Sequence, residues 1–408
     1  MNIYAIVVLL ALLGEYALHL TADLLNLRAL RPELPSEFRD VYDAARYRRS
    51  QEYTRVRTRF GFLPATVELA ALLAFWLAGG FRWLDDLLRG LGRGPIVTGL
   101  LFIAALVLAK VALGLPIGIY STFGIEARFG FNKTTPRTFV LDHLKGLLLT
   151  VVLGVPLVAA VLWFFTAAGG YAWLWCWLAT TAFSLVIHFV APTWILPLFN
   201  RFTPLEAGEL RDAVLAYARQ VSFPLAGLFV IDGSRRSTKA NAFFTGFGRH
   251  KRVALYDTLV ASHSVPELVA VIAHEVGHYR RKHIVKSLVL GIAHAGVVFY
   301  LLSIFLTHAG LFAAFGIENP SVHAGLVFFG LLFAPLDLVL SFFLQRWSRK
   351  NELEADAFAR ETTGSGGPLA AALKKLSADN LSNLTPHPFY VALHHSHPPL
   401  RERVEALR

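Results

Sequence analysis

The sequence predicts a predominantly α-helical membrane protein of seven spans with a small α+β region on one side. Three observations carry that prediction. Of 408 residues, 55% are hydrophobic and only 16% charged, whereas soluble domains carry about a quarter charged residues. Seven apolar runs, 3–25, 63–80, 97–121, 146–168, 172–192, 286–307 and 323–345, approach the roughly 20 residues a transmembrane helix needs. The connections also alternate in charge. Stretch 28–60 holds nine Arg against five acids, while 169–172 and 308–323 hold no Lys or Arg. Cytoplasmic loops carry the excess of Lys and Arg. That bias puts 28–60, 122–145, 193–285 and 346–408 in the cytoplasm, with the N-terminus outside and the C-terminus inside.

Other classes are excluded by the same composition. A single cysteine, Cys176, leaves neither an intramolecular disulfide nor a cysteine-based metal cluster. The net charge of +11 lies in loops between apolar runs, where a membrane surface accounts for it and nucleic acid is not needed. The run Ile3–Leu13 lacks both a basic residue before it and a small-x-small cleavage site before Glu15, so it is read as a retained first span.

The expected division is 1–192 for spans one to five with loops 28–60 and 122–145, 193–285 for a first cytoplasmic region, 286–345 for spans six and seven, and 346–408 for a second. Neither cytoplasmic region forms a domain alone. Thr203-Pro204-Leu205-Glu206 reads as a helix start running to about Gln220. Leu228–Ile231 and Val253–Tyr256 read as strands, with Asn241–Phe247 between them as an aromatic-rich edge strand. Ser264-Val265-Pro266-Glu267 repeats the capping pattern and opens a helix expected to run through His283. Thr362–Pro368 is a loop between two helices.

His274-Glu275-Val276-Gly277-His278 lies inside that helix. Histidines four apart share one helix face and can point both imidazoles at one metal ion, with Glu275 placed to take a proton from metal-activated water. A catalytic zinc site takes three protein ligands and leaves one position open. Glu352-Leu353-Glu354-Ala355-Asp356 is the best source of the third. Glu352 and Asp356 share a face, one to bind metal and one to accept a hydrogen bond from a ligand imidazole, while Glu354 points away. The alternatives are an amphipathic helix with solvated histidines and an acidic helix start favoured by the helix dipole. His283, His294, His308 and His323 show no comparable pairing and are read as structural or interfacial. Glu15, Asp23, Glu68, Lys110, His188 and Asp337 lie in spans, where a water-filled chamber or local pairing must offset their cost.

With HExxH, the downstream ExxxD, seven spans and the terminal Ser396-His397-Pro398-Pro399-Leu400, the chain resembles, over nearly its whole length, the Ste24 family of CAAX prenyl proteases among the M48 metallopeptidases. The resemblance implies that His274, His278 and Glu352 bind one Zn2+ per chain, that Glu275 is the catalytic base, and that the helices enclose a large chamber with the site at its cytoplasmic end. The region on that side is then gluzincin-like. The Asn of the family's edge-strand motif falls on Asn241, before Ala242, Phe243 and Phe244. The His and Arg of its tail motif fall on His397 and Arg403. Chemically, His397 and Asn241 suit an oxyanion donor, and an edge strand lets a peptide substrate pair as an added strand. The alternatives for these two are a helix-start residue and a strand-end turn residue.

The expected function is membrane-associated peptide hydrolysis, with membrane lipid and a peptide or protein, prenylated where such substrates exist, as partners. The runner-up is an HtpX-like protease of membrane-protein quality control. From a different class comes a transporter or scaffold with a structural zinc site, which would gain nothing from Glu275. Arg outnumbers Lys 29 to 10, which leans toward a bacterial inner membrane; in a eukaryote the endoplasmic reticulum membrane is expected.

Overall fold

The structure, a computed structural model, describes residues 1–245 and 251–408. Among them are seven helices long and apolar enough to cross a membrane: α1 (Ile3–Arg28), α2 (Ala44–Leu77), α4 (Pro95–Glu126), α5 (Pro136–Ala167), α6 (Gly169–Phe199), α9 (His283–Phe305) and α10 (Val322–Thr363). A short helix, α3 (Gly80–Arg89), joins α2 to α4. The spans outrun the apolar runs that predict them. The Asp43 side chain accepts from the Arg46 N–H at 2.7 Å, so α2 starts at Ala44, within the stretch expected to be a loop. α10 carries its apolar run straight on into ExxxD.

The spans stand around open space. Their buried residues gather at two ends. At one, Trp76, Phe81, Phe102, Phe312, Phe315 and Phe328 pack together; at the other lies the α+β region. Between these ends no residue of α9 from 284 to 301 and none of α10 from 330 to 350 is buried. A solid bundle buries a face of every helix along its length. This hollow gives the polar groups their surroundings: His294 and Asp337 meet at 3.6 Å, both partly exposed. His323 is no lone histidine either, since its Nε2 lies 2.7 Å from Asp85.

The α+β region holds four strands, β1 (Phe202–Pro204), β2 (Leu225–Ile231), β3 (Ala242–Thr245) and β4 (Lys251–Tyr256), in the order β1-β2-β4-β3. β2 and β4 run parallel, and β1 and β3 are antiparallel edges. The helix expected from Thr203 is instead the edge strand β1, and the helix α7 starts later, at Glu209–Gln220. Leu205 N–H donates to the Leu228 carbonyl, so by alternation Pro204, which has no N–H, occupies a position that needs none. Of the expected edge strand, Gly246 and Phe247 lie outside the described residues.

One core joins the sheet to α7, to α8 (Val265–Arg280), to the end of α10, to α11 (Gly367–Asp379) and to the C-terminus. It includes Tyr217, Leu255, Leu268, Ile272, Ala359 and Leu407. α8 opens with the predicted capping box between Ser264 and Glu267, and Lys375 of α11 reaches Glu267 at 2.7 Å. The helix stops at Arg280, short of His283, because Lys282 takes a left-handed φ of 58°.

Candidate metal centre

α8 and α10 pack face to face, and small residues let them close. A Cβ added at Gly277 would lie 3.0 Å from the Cα and carbonyl oxygen of Ala355. The approach brings Glu352 against the two histidines. His274 Nε2 and His278 Nε2 are 3.1 Å apart. Glu352 Oε1 lies 3.2 Å from the latter and Oε2 3.4 Å from the former. One ligand atom from each of the three residues can be chosen so that all lie within 4.8 Å of one another.

The donor set fits a metal ion. Two nitrogens and a carboxylate converge, the composition of a three-ligand catalytic site, and each histidine has its other nitrogen engaged elsewhere. Glu352 Oε2 is buried without a formed hydrogen bond, although His397 Nδ1 stands 2.8 Å away. Asp356 accepts at 2.8 Å from His274 Nδ1 and is gripped by Arg403 through two bonds of 2.8 and 2.6 Å. Burial opposes the charged form of His274, but its bond to Asp356 and the Glu352 carboxylate beside it raise its pKa to about 9. The cluster thus holds an excess of negative charge that favours a cation, proton or metal, and the two compete. Arg403 is itself buried, which disfavours its charge, yet Asp356 holds its pKa above the ordinary value.

Glu275 is half-buried, and its charge acts on Arg403. The His397 side chain is 63% exposed at the rim. The tail that carries it is tied down by Arg349, which donates to the carbonyls of Val391 and His395. Asn241 is exposed just before β3, its Oδ1 accepting from Ala242 N–H at 2.9 Å. Its own carbonyl accepts from Tyr256 N–H. With Ala242 opposite Leu255 and Phe244 opposite Val253, alternation turns the backbone groups of Ala242 and Phe244 to the free edge. Phe243 stacks edge-on against Tyr256.

His283 and Glu354, which sequence reasoning leaves unpaired and facing away, meet behind the site. His283 Nδ1 lies 3.1 Å from His278 Nδ1 and its Nε2 lies 3.2 Å from Glu354. Only the left-handed turn at Lys282 brings them together, and no Gly or Asn marks it. A cleft lined by His188, His278, His283, Ser287, Ser348 and Asn351 runs from the cluster toward the hollow of the bundle.

An HExxH helix occurs in many soluble folds, but an acidic side chain brought against it on the end of a membrane span narrows the class to metallopeptidases built into the bilayer. The chain belongs to peptidase family M48. The family model described as Peptidase family M48 matches residues 204–408, and one described as CAAX prenyl protease N-terminal, five membrane helices, matches 23–201. The CAAX prenyl protease 1 homolog of Oryza sativa is 38% identical over 99% of this chain and 97% of its own length. The human homolog is 31% identical over 92% and 88%. The crystal structure of S. mikatae Ste24p superposes with a TM-score of 0.94 at 30% identity, covering 100% of this chain and 99% of that one. These full-length matches do not favour the quality-control reading.

Proposed function

We propose that the chain is a zinc endopeptidase that removes C-terminal residues from prenylated CAAX peptides, with His274, His278 and Glu352 as ligands. The observation that carries the reading is the convergence of these three side chains on a region that also presents an open sheet edge. The relatives' printed names support the substrate class. A bound zinc ion would polarise the scissile carbonyl and make water acidic. Glu275 accepts the proton of the attacking water and passes it to the leaving amine. His397 at the rim and the Asn241 carboxamide donate to the developing oxyanion. The free edge formed by Asn241, Ala242, Phe243 and Phe244 pairs with the substrate backbone, which fixes its register and leaves side-chain identity loose. Asp356 and Arg403 hold His274 in its ligating tautomer.

In this reading the site faces the cytoplasm, the N-terminus lies outside, and the chain divides at 192, 285 and 345. The Arg-rich composition favours a bacterial inner membrane, and the endoplasmic reticulum membrane is the counterpart in a eukaryote. The test is Glu275→Gln, which keeps size and removes the base. It should retain metal and cleave a farnesylated CAAX peptide at least about a hundredfold more slowly. Near-normal cleavage with metal bound would remove Glu275 from the mechanism.

A further inference from the structure

His274 is oriented by Asp356, but what orients His278 is a chain of a different kind. Its Nε2 faces His274 and Glu352, so its Nδ1 is the atom left for a positioning partner. That partner is another imidazole: His283 Nδ1 at 3.1 Å, the rings edge to face with centroids 5.1 Å apart. An imidazole partner is ambiguous, because a neutral ring can either donate or accept at either nitrogen. If His283 donated from Nδ1, His278 would carry its proton on Nε2 and aim an N–H into the metal position.

Glu354 removes the ambiguity. An ionised carboxylate only accepts, and Glu354 Oε2 lies 3.2 Å from His283 Nε2. That contact puts the His283 proton on Nε2 and leaves its Nδ1 as a lone pair. Nδ1 then accepts from His278 Nδ1–H, and the His278 Nε2 lone pair points at the ligand cluster. Lys350, 3.8 Å from the other Glu354 oxygen, supports the charged form. The His283 side chain is only 4% exposed, which keeps water from substituting for it.

We infer that His283 and Glu354 are positioning residues for metal binding, a carboxylate–imidazole relay that sets the tautomer of His278. This rests on His278 being a ligand, so the experiment separates the two. Zinc affinity is read by competition with a chromophoric chelator, beside the melting temperature of the metal-stripped protein, for His278→Ala, His283→Leu, His283→Asn and Glu354→Gln. His278→Ala should lose tight binding; if it does not, the ligand assignment fails and the relay with it. Given that loss, His283→Leu should weaken binding about 10–100-fold. His283→Asn, whose Oδ1 can fall near the lost Nδ1, should restore most of it. Glu354→Gln, on the partly exposed end, can present an N–H in place of a lone pair and should weaken binding about tenfold. Should His283→Leu fail to fold without metal, Glu354→Gln reads the same relay. Wild-type affinity in Glu354→Gln, or equal affinities for the Leu and Asn variants, would overturn the relay while leaving the ligands in place.

Discussion

Gly277→Ala tests whether the approach of α8 to α10, more than the identity of the ligands, sets the chemistry. The new Cβ would sit 3.0 Å from Ala355 Cα and 3.2 Å from Phe358 Cβ, against an optimum of about 3.5–4.0 Å between carbons. Relief therefore needs α10 to give by a few tenths of an ångström. Ala355 lies between Glu352 and Asp356, so the retreat carries both away from His274. Overpacking costs about 1–3 kcal/mol, and replacing Gly277, close to the C-terminal end of α8, returns at most about 1 kcal/mol, which offsets part of that cost. Geometry has no such compensation, because ligand distances tolerate only about ±0.2 Å and a misplacement of about 1 Å can cost 10²-fold in rate. The expected variant melts, metal-free, within a few degrees of wild type, yet binds zinc more weakly and cleaves a fluorogenic CAAX peptide about tenfold more slowly. Gly330→Ala, on α10 with nothing within 4 Å of the added Cβ, serves as the control and should behave as wild type. Gly277→Ala with wild-type metal affinity and turnover would refute the packing argument.

Three further outcomes are expected. Glu352→Ala should lose tightly bound zinc, measured by elemental analysis of purified protein, and full retention would move the third ligand elsewhere. Burial disfavours the Glu267 carboxylate, but bonds to Lys375 and Ser264 lower its pKa below the ordinary 4.5. Its contribution is therefore present above the unfolded pKa and lost as pH falls through the folded one; Glu267→Gln should cost stability at pH 7 and progressively less below about pH 4.5. That is read from denaturation midpoints, and a pH-independent difference contradicts it. A reporter fused after Arg408 should be cytoplasmic and one inserted near Asn319 external, and both on one side would contradict the orientation.

What was legible in the sequence was what is encoded locally. HExxH places two imidazoles on one face through helix geometry alone, and the seven apolar runs each became a spanning helix. The capping box at Ser264 also formed as read, whereas the same pattern at Thr203 did not. There the pairing of β1 with β2 wins, and Pro204 suits a ladder position with no N–H to donate. The pairing of His283 with Glu354 depends on a left-handed Lys282, for which composition gives no sign, and on the register between α8 and α10, which Gly277 and Ala355 set only once the helices meet. The candidate site's reach across the chain, from His274 to Arg403, is likewise a property of packing.

Glu352 is presented by a helix that begins at Val322, at the end of the bundle opposite the α+β region, and runs through Pro335 to Thr363. Such a rod is about 60 Å long, twice the roughly 30 Å of a bilayer's hydrocarbon, so its upper half is a mast stepped in the membrane. A span of fixed length answers a thicker or thinner bilayer by changing tilt, and a mast turns tilt at its foot into travel at its head. The peptidase half consequently has no separate existence to be excised as a soluble fragment, and the lipid surrounding the bundle becomes a determinant of how well three side chains meet.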